Sequence, residues 1–199
     1  MRRSTRIAVS MLLACCCTAW GQTSAASSSA GTQQAPQTTS ELANRQNTDL
    51  KPPGLDQVVL GVYDIISGPK GQQRDPDKFR ALFVKDVARL MVVRHDPKTG
   101  QDQLVVMTTD DFITRAFPHM QQDGFFEREV ARRTERFGNI VHVWSTYESR
   151  YTAQDPKPFQ RGINSFELIN EGQGWKVLLI LWQGERPDAP IPQEYLTSH

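Results

Sequence analysis

Asn139–Tyr151 (NIVHVWSTYESRY), Phe159–Asn170 (FQRGINSFELIN) and Trp175–Gln183 (WKVLLILWQ) are three strand-like runs, with turn residues between them at Asp155-Pro156 and Glu171-Gly172-Gln173-Gly174. Each is rich in β-branched and aromatic residues. In the first, His142, Trp144, Thr146, Glu148 and Arg150 fall on one face and Val141, Val143, Ser145, Tyr147 and Tyr151 on the other, the period of two that a strand requires. The third run is apolar at nearly every position from Val177 to Trp182, which predicts cover on both of its faces. Helices supply one cover. The other is expected from a second subunit docking sheet to sheet, or from the chain's own proline-rich tail, Arg186–Tyr195, lying across the sheet as a strap.

Upstream of these runs, Phe125–Arg136 reads as a fourth long strand, and its alternating charges from Glu127 to Arg136 suit a salt-bridged outward face. Before it, Thr108-Thr109-Asp110-Asp111 has capping-box spacing and opens a helix that buries Phe112, Ile113, Ala116, Phe117 and Met120. Pro118 is expected to kink or shorten that helix, and Asp123-Gly124 to end it. Ala88–Arg94 and Gln103–Met107 form a hairpin around Asp96-Pro97-Lys98-Thr99-Gly100. Two further helices precede the hairpin. Leu55, Val58, Val59, Val62 and Ile66 follow helical spacing until Ser67-Gly68-Pro69, and Asp75 caps a short second helix with Pro76 at its first position. This order predicts an α+β domain in which three N-terminal helices pack on a strongly curved, mostly antiparallel sheet.

The chain of 199 residues, 38% hydrophobic, accommodates one such domain with appendages. Arg2, Arg3 and Arg6 lead into the apolar run Ile7–Trp20, the layout of a secretory signal over residues 1–21. Leu12-Leu13-Ala14-Cys15 also fits a bacterial lipobox, in which Cys15 would carry a lipid and hold the protein at a membrane. Residues 22–53 are Ser, Gln, Thr, Ala and Asn with almost no large apolar side chain, the composition of a flexible linker. The domain is expected over 54–186 and a proline-rich tail over 187–199. The expected location is secreted or periplasmic, with lipid anchoring as the alternative. All three cysteines lie in the leader, so the domain has no material for a disulfide or thiolate metal site. Without Arg2, Arg3 and Arg6, 20 basic residues face 22 acidic ones, and a nearly neutral surface gives no electrostatic case for nucleic acid.

Three segments carry a family resemblance: Val58-Val59-Leu60-Gly61-Val62-Tyr63-Asp64, Asp75–Phe83, and Arg161-Gly162-Ile163-Asn164-Ser165-Phe166-Glu167-Leu168 followed by Gly174-Trp175-Lys176-Val177. In that order they resemble the nuclear transport factor two-like superfamily, also described as SnoaL-like or ketosteroid-isomerase-like, over roughly Leu55 to Glu185. The resemblance implies a cone-shaped (cystatin-like) roll with an apolar pocket between helices and sheet, and a homodimer formed through the sheet's outer face. It also implies a pocket-facing tyrosine near the end of the first helix, which points to Tyr63.

Which polar residues face the pocket depends on strand register. His142 is the only mid-strand histidine, and its ordinary pKa of about 6.5 suits a general acid or base. Glu167, between Phe166 and Leu168, is a candidate buried base, and Tyr63 a candidate for polarising a carbonyl oxygen. Structural roles in packing or on a solvated face compete for all three. Trp144, Asn164, Phe166 and Trp182 join Tyr63 and His142 as candidate ligand-lining residues. No phosphate-cradling glycine loop and no His-x-x-x-His spacing occurs, so no cofactor or metal is expected. The expected activity is binding of a small apolar molecule without assigned catalysis. The alternatives are a cofactor-independent isomerase, dehydratase or cyclase acting on a carbonyl-bearing lipid or polyketide-like compound, and a protein-interaction module.

Overall fold

Why the helices begin where they do is visible in their caps. In the computed structural model, which describes residues 53–197, α1 (Leu55–Ile66) starts at Gly54, whose backbone N–H donates to Gln57 Oε1 at 2.9 Å. Val58, Val59, Val62, Tyr63 and Ile66 share its buried face. α2 (Pro76–Ala81) is capped by Asp75, which accepts from the N–H groups of Asp77 and Lys78. α3 (Thr109–Asp123) opens with reciprocal bonds between Thr108 and Asp111, each 3.0 Å, and closes at Gly124, whose φ of 79° suits a residue without a side chain. Of the two effects expected of Pro118, a kink or a shortened helix, shortening does not occur, since α3 continues past it to Asp123. The expected signal at 1–21, Cys15 and nearly all of the linker at 22–53 lie outside the described residues.

Among the described residues six strands form one sheet: β1 (Arg89–Asp96), β2 (Gln101–Met107), β3 (Phe126–Phe137), β4 (Ile140–Arg150), β5 (Gln160–Asn170) and β6 (Trp175–Gly184). Their spatial order is β2-β1-β6-β5-β4-β3, antiparallel throughout except for the parallel pair β1·β6. Register shifts between Glu129 and Ala131 on β3, and between Glu167 and Leu168 where β5 meets β6, mark bulges that bend a sheet and sharpen its twist. The concave face packs on the helices around Phe79, Phe166, Leu90, Leu168, Val141, Val143 and Val177, all at most 2% exposed.

Alternation along β4 divides the two faces. Val141, Val143, Ser145, Tyr147 and Ser149 are buried toward the helices, whereas His142, Trp144, Glu148 and Arg150 point the other way. Thr146 shares the outward set yet is 1% exposed. The chain's tail covers it: Thr146 Oγ1 donates to the carbonyl of Tyr195, which lies in a 3-10 turn at Gln193–Tyr195. The Tyr195 ring lies 5.6 Å from Trp144, with the Arg133 guanidinium 5.3 Å from its centroid. Glu185 accepts from the Ile191 N–H and so ties down the start of the strap. Beyond the strap the outer face keeps exposed apolar side chains, among them Leu104, Val106, Phe137 and Ile140.

Candidate functional site

Between the helices and the concave face lies a cavity of about 160 Å³. Val62 and Ile66 of α1, Phe79 of α2, Phe112 and Met120 of α3, and Leu90, Phe166, Ile180 and Trp182 of the sheet make its walls. The walls are held by ring contacts: Phe112 stacks on Phe79 at 5.4 Å and meets Trp182 edge-on at 6.2 Å. Besides the indole N–H of Trp182, the polar side chains on the lining among the described residues are Glu127 of β3 and Asn164 of β5.

Glu127 pairs across the sheet with Ser149, and so projects to the concave side with the buried positions of β4. Its carboxyl accepts from Ser149 Oγ at 2.7 Å and from Asn164 Nδ2 at 3.4 Å. Removal from water pushes its pKa up from 4.5 to about 7, although the two hydrogen bonds pull in the opposite direction. At that value the group can hold or release a proton near neutrality.

A directed polar chain runs inward from Glu127. Asn164 Nδ2 also donates to the Tyr63 hydroxyl at 3.0 Å, and that hydroxyl lies 2.6 Å from Ser145 Oγ. Ser145 gives its own single proton to Glu129, so the phenolic proton of Tyr63 goes to Ser145. Glu129 is in turn paired with Arg132, which reaches Asp56 at the surface. Burial, then the nearby charge of Glu127, holds the Tyr63 hydroxyl well above its ordinary pKa, and Tyr147 is shifted upward for the same two reasons.

The structure brings some of the sequence-predicted residues together and separates others. Asn164, Phe166 and Trp182 line the cavity, and Tyr63 lies directly behind Asn164 with its proton directed to Ser145. His142, Trp144 and Glu167 project from the opposite, outer face. There His142 Nε2 meets Ser165 Oγ at 2.9 Å and lies 4.0 Å from Glu167, beside a shallow hollow that includes Phe137 and Ile140. His142 and Glu167 therefore converge with each other but not with the cavity. In the sequence the alternation of Glu127 and Glu129 with arginines suits a salt-bridged outward face, whereas the structure turns both carboxylates inward to Ser149 and Ser145. The available signal was Ser145 and Ser149 on the neighbouring strand, small hydroxyls spaced to receive two inward carboxylates. Among the described residues no group of three His, Cys, Asp or Glu side chains is placed to hold a metal ion.

No family model and no curated protein matches the chain. Neighbours among solved structures are NTF2-like proteins. One is an NTF2-like protein of unknown function from Shewanella baltica, at 12% identity over 76% of this chain and 99% of that one, TM-score 0.45. Another is an NTF2-like superfamily protein from Salmonella enterica, at 10% identity over 78% and 96%, TM-score 0.47. A third, from Nostoc punctiforme, has a cystatin-like fold, with 10% identity over 67% and 90% and a TM-score of 0.48.

Proposed function

We propose that this domain binds a small, largely apolar molecule about the size of a single ring, its body against Phe112, Phe166 and Trp182 and its polar group at Glu127. The observation that carries this reading is a lone carboxyl, paired with one amide, in an otherwise apolar cavity, the usual composition of a small-molecule site. Size supports it as well, since an apolar cavity of about 150 Å³ is enough to admit benzene. Arg2–Trp20, with its leader-like layout, supports placing this binding outside the cytoplasm.

Thermal unfolding in the presence of toluene, phenol and larger fused-ring compounds tests the reading. A guest that binds only the folded state raises the midpoint with concentration. Single-ring compounds are expected to do so and fused-ring compounds are not, and Ile180→Phe, which fills the cavity, is expected to abolish the effect. A midpoint unmoved by every compound would remove the proposal.

The position of Glu127 favours a second reading, cofactor-independent proton transfer on a carbonyl compound. A carboxyl titrating at about 7 beside a bound guest is suited to take a proton from carbon and return it. Deuterium incorporation into a single-ring enone in heavy water, followed by NMR and lost in Glu127→Gln, would support it. Incorporation at the same rate with and without the protein would dispose of it.

A further inference from the structure

Building on the cavity reading above, we infer that the guest carries a protonated amine, seated against Glu127 with its ring or alkyl body among the aromatic walls. The first ground is charge. Among the described residues, Glu127 is the only ionisable side chain lining the cavity, and no Arg, Lys or His lines it. Arg132 is held by Glu129 and Asp56, and Arg74 is buried with its guanidinium on the carbonyls of Ile66, Gly68, Gln72 and Phe125. Arg128 and Arg150 meet Glu148, which points to the outer face. An anionic guest would face Glu127, with Glu129 behind it through Tyr63 and Ser145, and no opposing cation.

The second ground is the supply of donors and acceptors. Both N–H groups of Asn164 are used, one on Tyr63 and one on Glu127, and the Tyr63 proton goes to Ser145. Ser149 gives its proton to Glu127. A carboxylate has about four acceptor positions, and Ser149 and Asn164 fill two of them. With Glu127 ionised, the cavity therefore offers unfilled acceptors and no free donor among these groups. A carboxylate or phosphate would meet the charge of Glu127 with only the neutral indole N–H of Trp182 as a further donor on the lining, whereas an ammonium, three donors and one positive charge, fits what is open.

The third ground is the wall itself. Phe79, Phe112, Phe125, Phe166 and Trp182 line the same space, and aromatic rings attract a cation. One group of guests, single-ring primary amines, satisfies size, charge and wall together.

Titration of the full chain with benzylamine and with benzyl alcohol, matched in shape, tests this at about pH 8, above the Glu127 midpoint, and about pH 5.5, below it. At the higher pH benzylamine is expected to bind about ten-fold tighter, the advantage of a charge-assisted over a neutral hydrogen bond. That advantage is expected to vanish at the lower pH, and to vanish at both in Glu127→Gln while benzyl alcohol still binds. Benzyl alcohol binding as tightly as benzylamine to the unaltered protein at pH 8 would overturn the amine inference and leave the cavity reading intact. So would an amine preference that persists in Glu127→Gln. Failure of both compounds to bind the unaltered protein would overturn the cavity reading, and the amine inference with it.

Discussion

The Tyr63 hydroxyl on α1 and the Ser145 hydroxyl on β4 lie 2.6 Å apart in the buried layer between helix and sheet. This bond joins the two layers behind the cavity and sets the orientation of Asn164, which donates to the same phenolic oxygen. Tyr63→Phe leaves an Asn164 N–H without its acceptor and is expected to cost about 1–3 kcal/mol, the penalty for stranding a buried polar group. Urea denaturation measures it. The double variant Tyr63→Phe/Ser145→Ala should cost less than the sum of the singles, because the two residues share one network.

Glu127 makes folding stability depend on pH. Its folded-state pKa is raised from 4.5 to about 7, so the folded protein holds the proton more tightly than the unfolded chain. That contribution is fully present below about 4.5 and is lost as pH rises through about 7, a change of about 3 kcal/mol. Glu127→Gln, which cannot ionise, is expected to remove this slope. The comparison is the urea midpoint of protein and variant from about pH 4 to pH 8, and parallel curves would refute the assignment.

Gly162 makes room for the Tyr147 ring. A Cβ at this position on β5 would collide with the Tyr147 hydroxyl and with the carbonyl of Gln183 on β6. One of these obstacles is backbone in a paired strand and cannot swing aside. Gly162→Ala is expected to destabilise by about 1–3 kcal/mol, the usual cost of overpacking.

The strap at Gln193–Tyr195 contributes through few contacts. The Trp144–Tyr195 ring pair and the Thr146–Tyr195 hydrogen bond are together worth about 1–3 kcal/mol. A chain ended at Glu185 is expected to lose that stability. It should also self-associate more than the full chain by light scattering, because Trp144 then joins the exposed Phe137 and Ile140.

Elements were legible wherever a short-range pattern decided them. Asp75 with Pro76, and Thr108 with Asp111, marked helix starts because capping is local chemistry. The strands β3 to β6 followed from alternation and turn residues. What alternation cannot supply is which face is concave, since that depends on pairing partners far apart in the chain. The uncertainty fell hardest on His142 and Glu167, which are register neighbours on the outer face, and on Glu127, which the pairing with Ser149 turns inward. The bulge after Glu129 hid the change further, because Glu127 and Glu129 face the helices while Ala131, two positions later, lies opposite Thr146 on the outer side. The tail was legible only as one of two covers for β6, and the contacts of Tyr195 with Thr146 and Trp144 depend on tertiary placement.

The titration of the Glu127 side-chain carboxyl, followed by carbon NMR with Glu127→Gln to assign the signal, tests most directly whether a carboxyl stands in solvent-poor space on the concave face. A midpoint near 7 is the expected result. A midpoint in the ordinary glutamate range, at about 4.3, would mean that water reaches the group freely and would contradict the cavity on which both the guest and its charge depend.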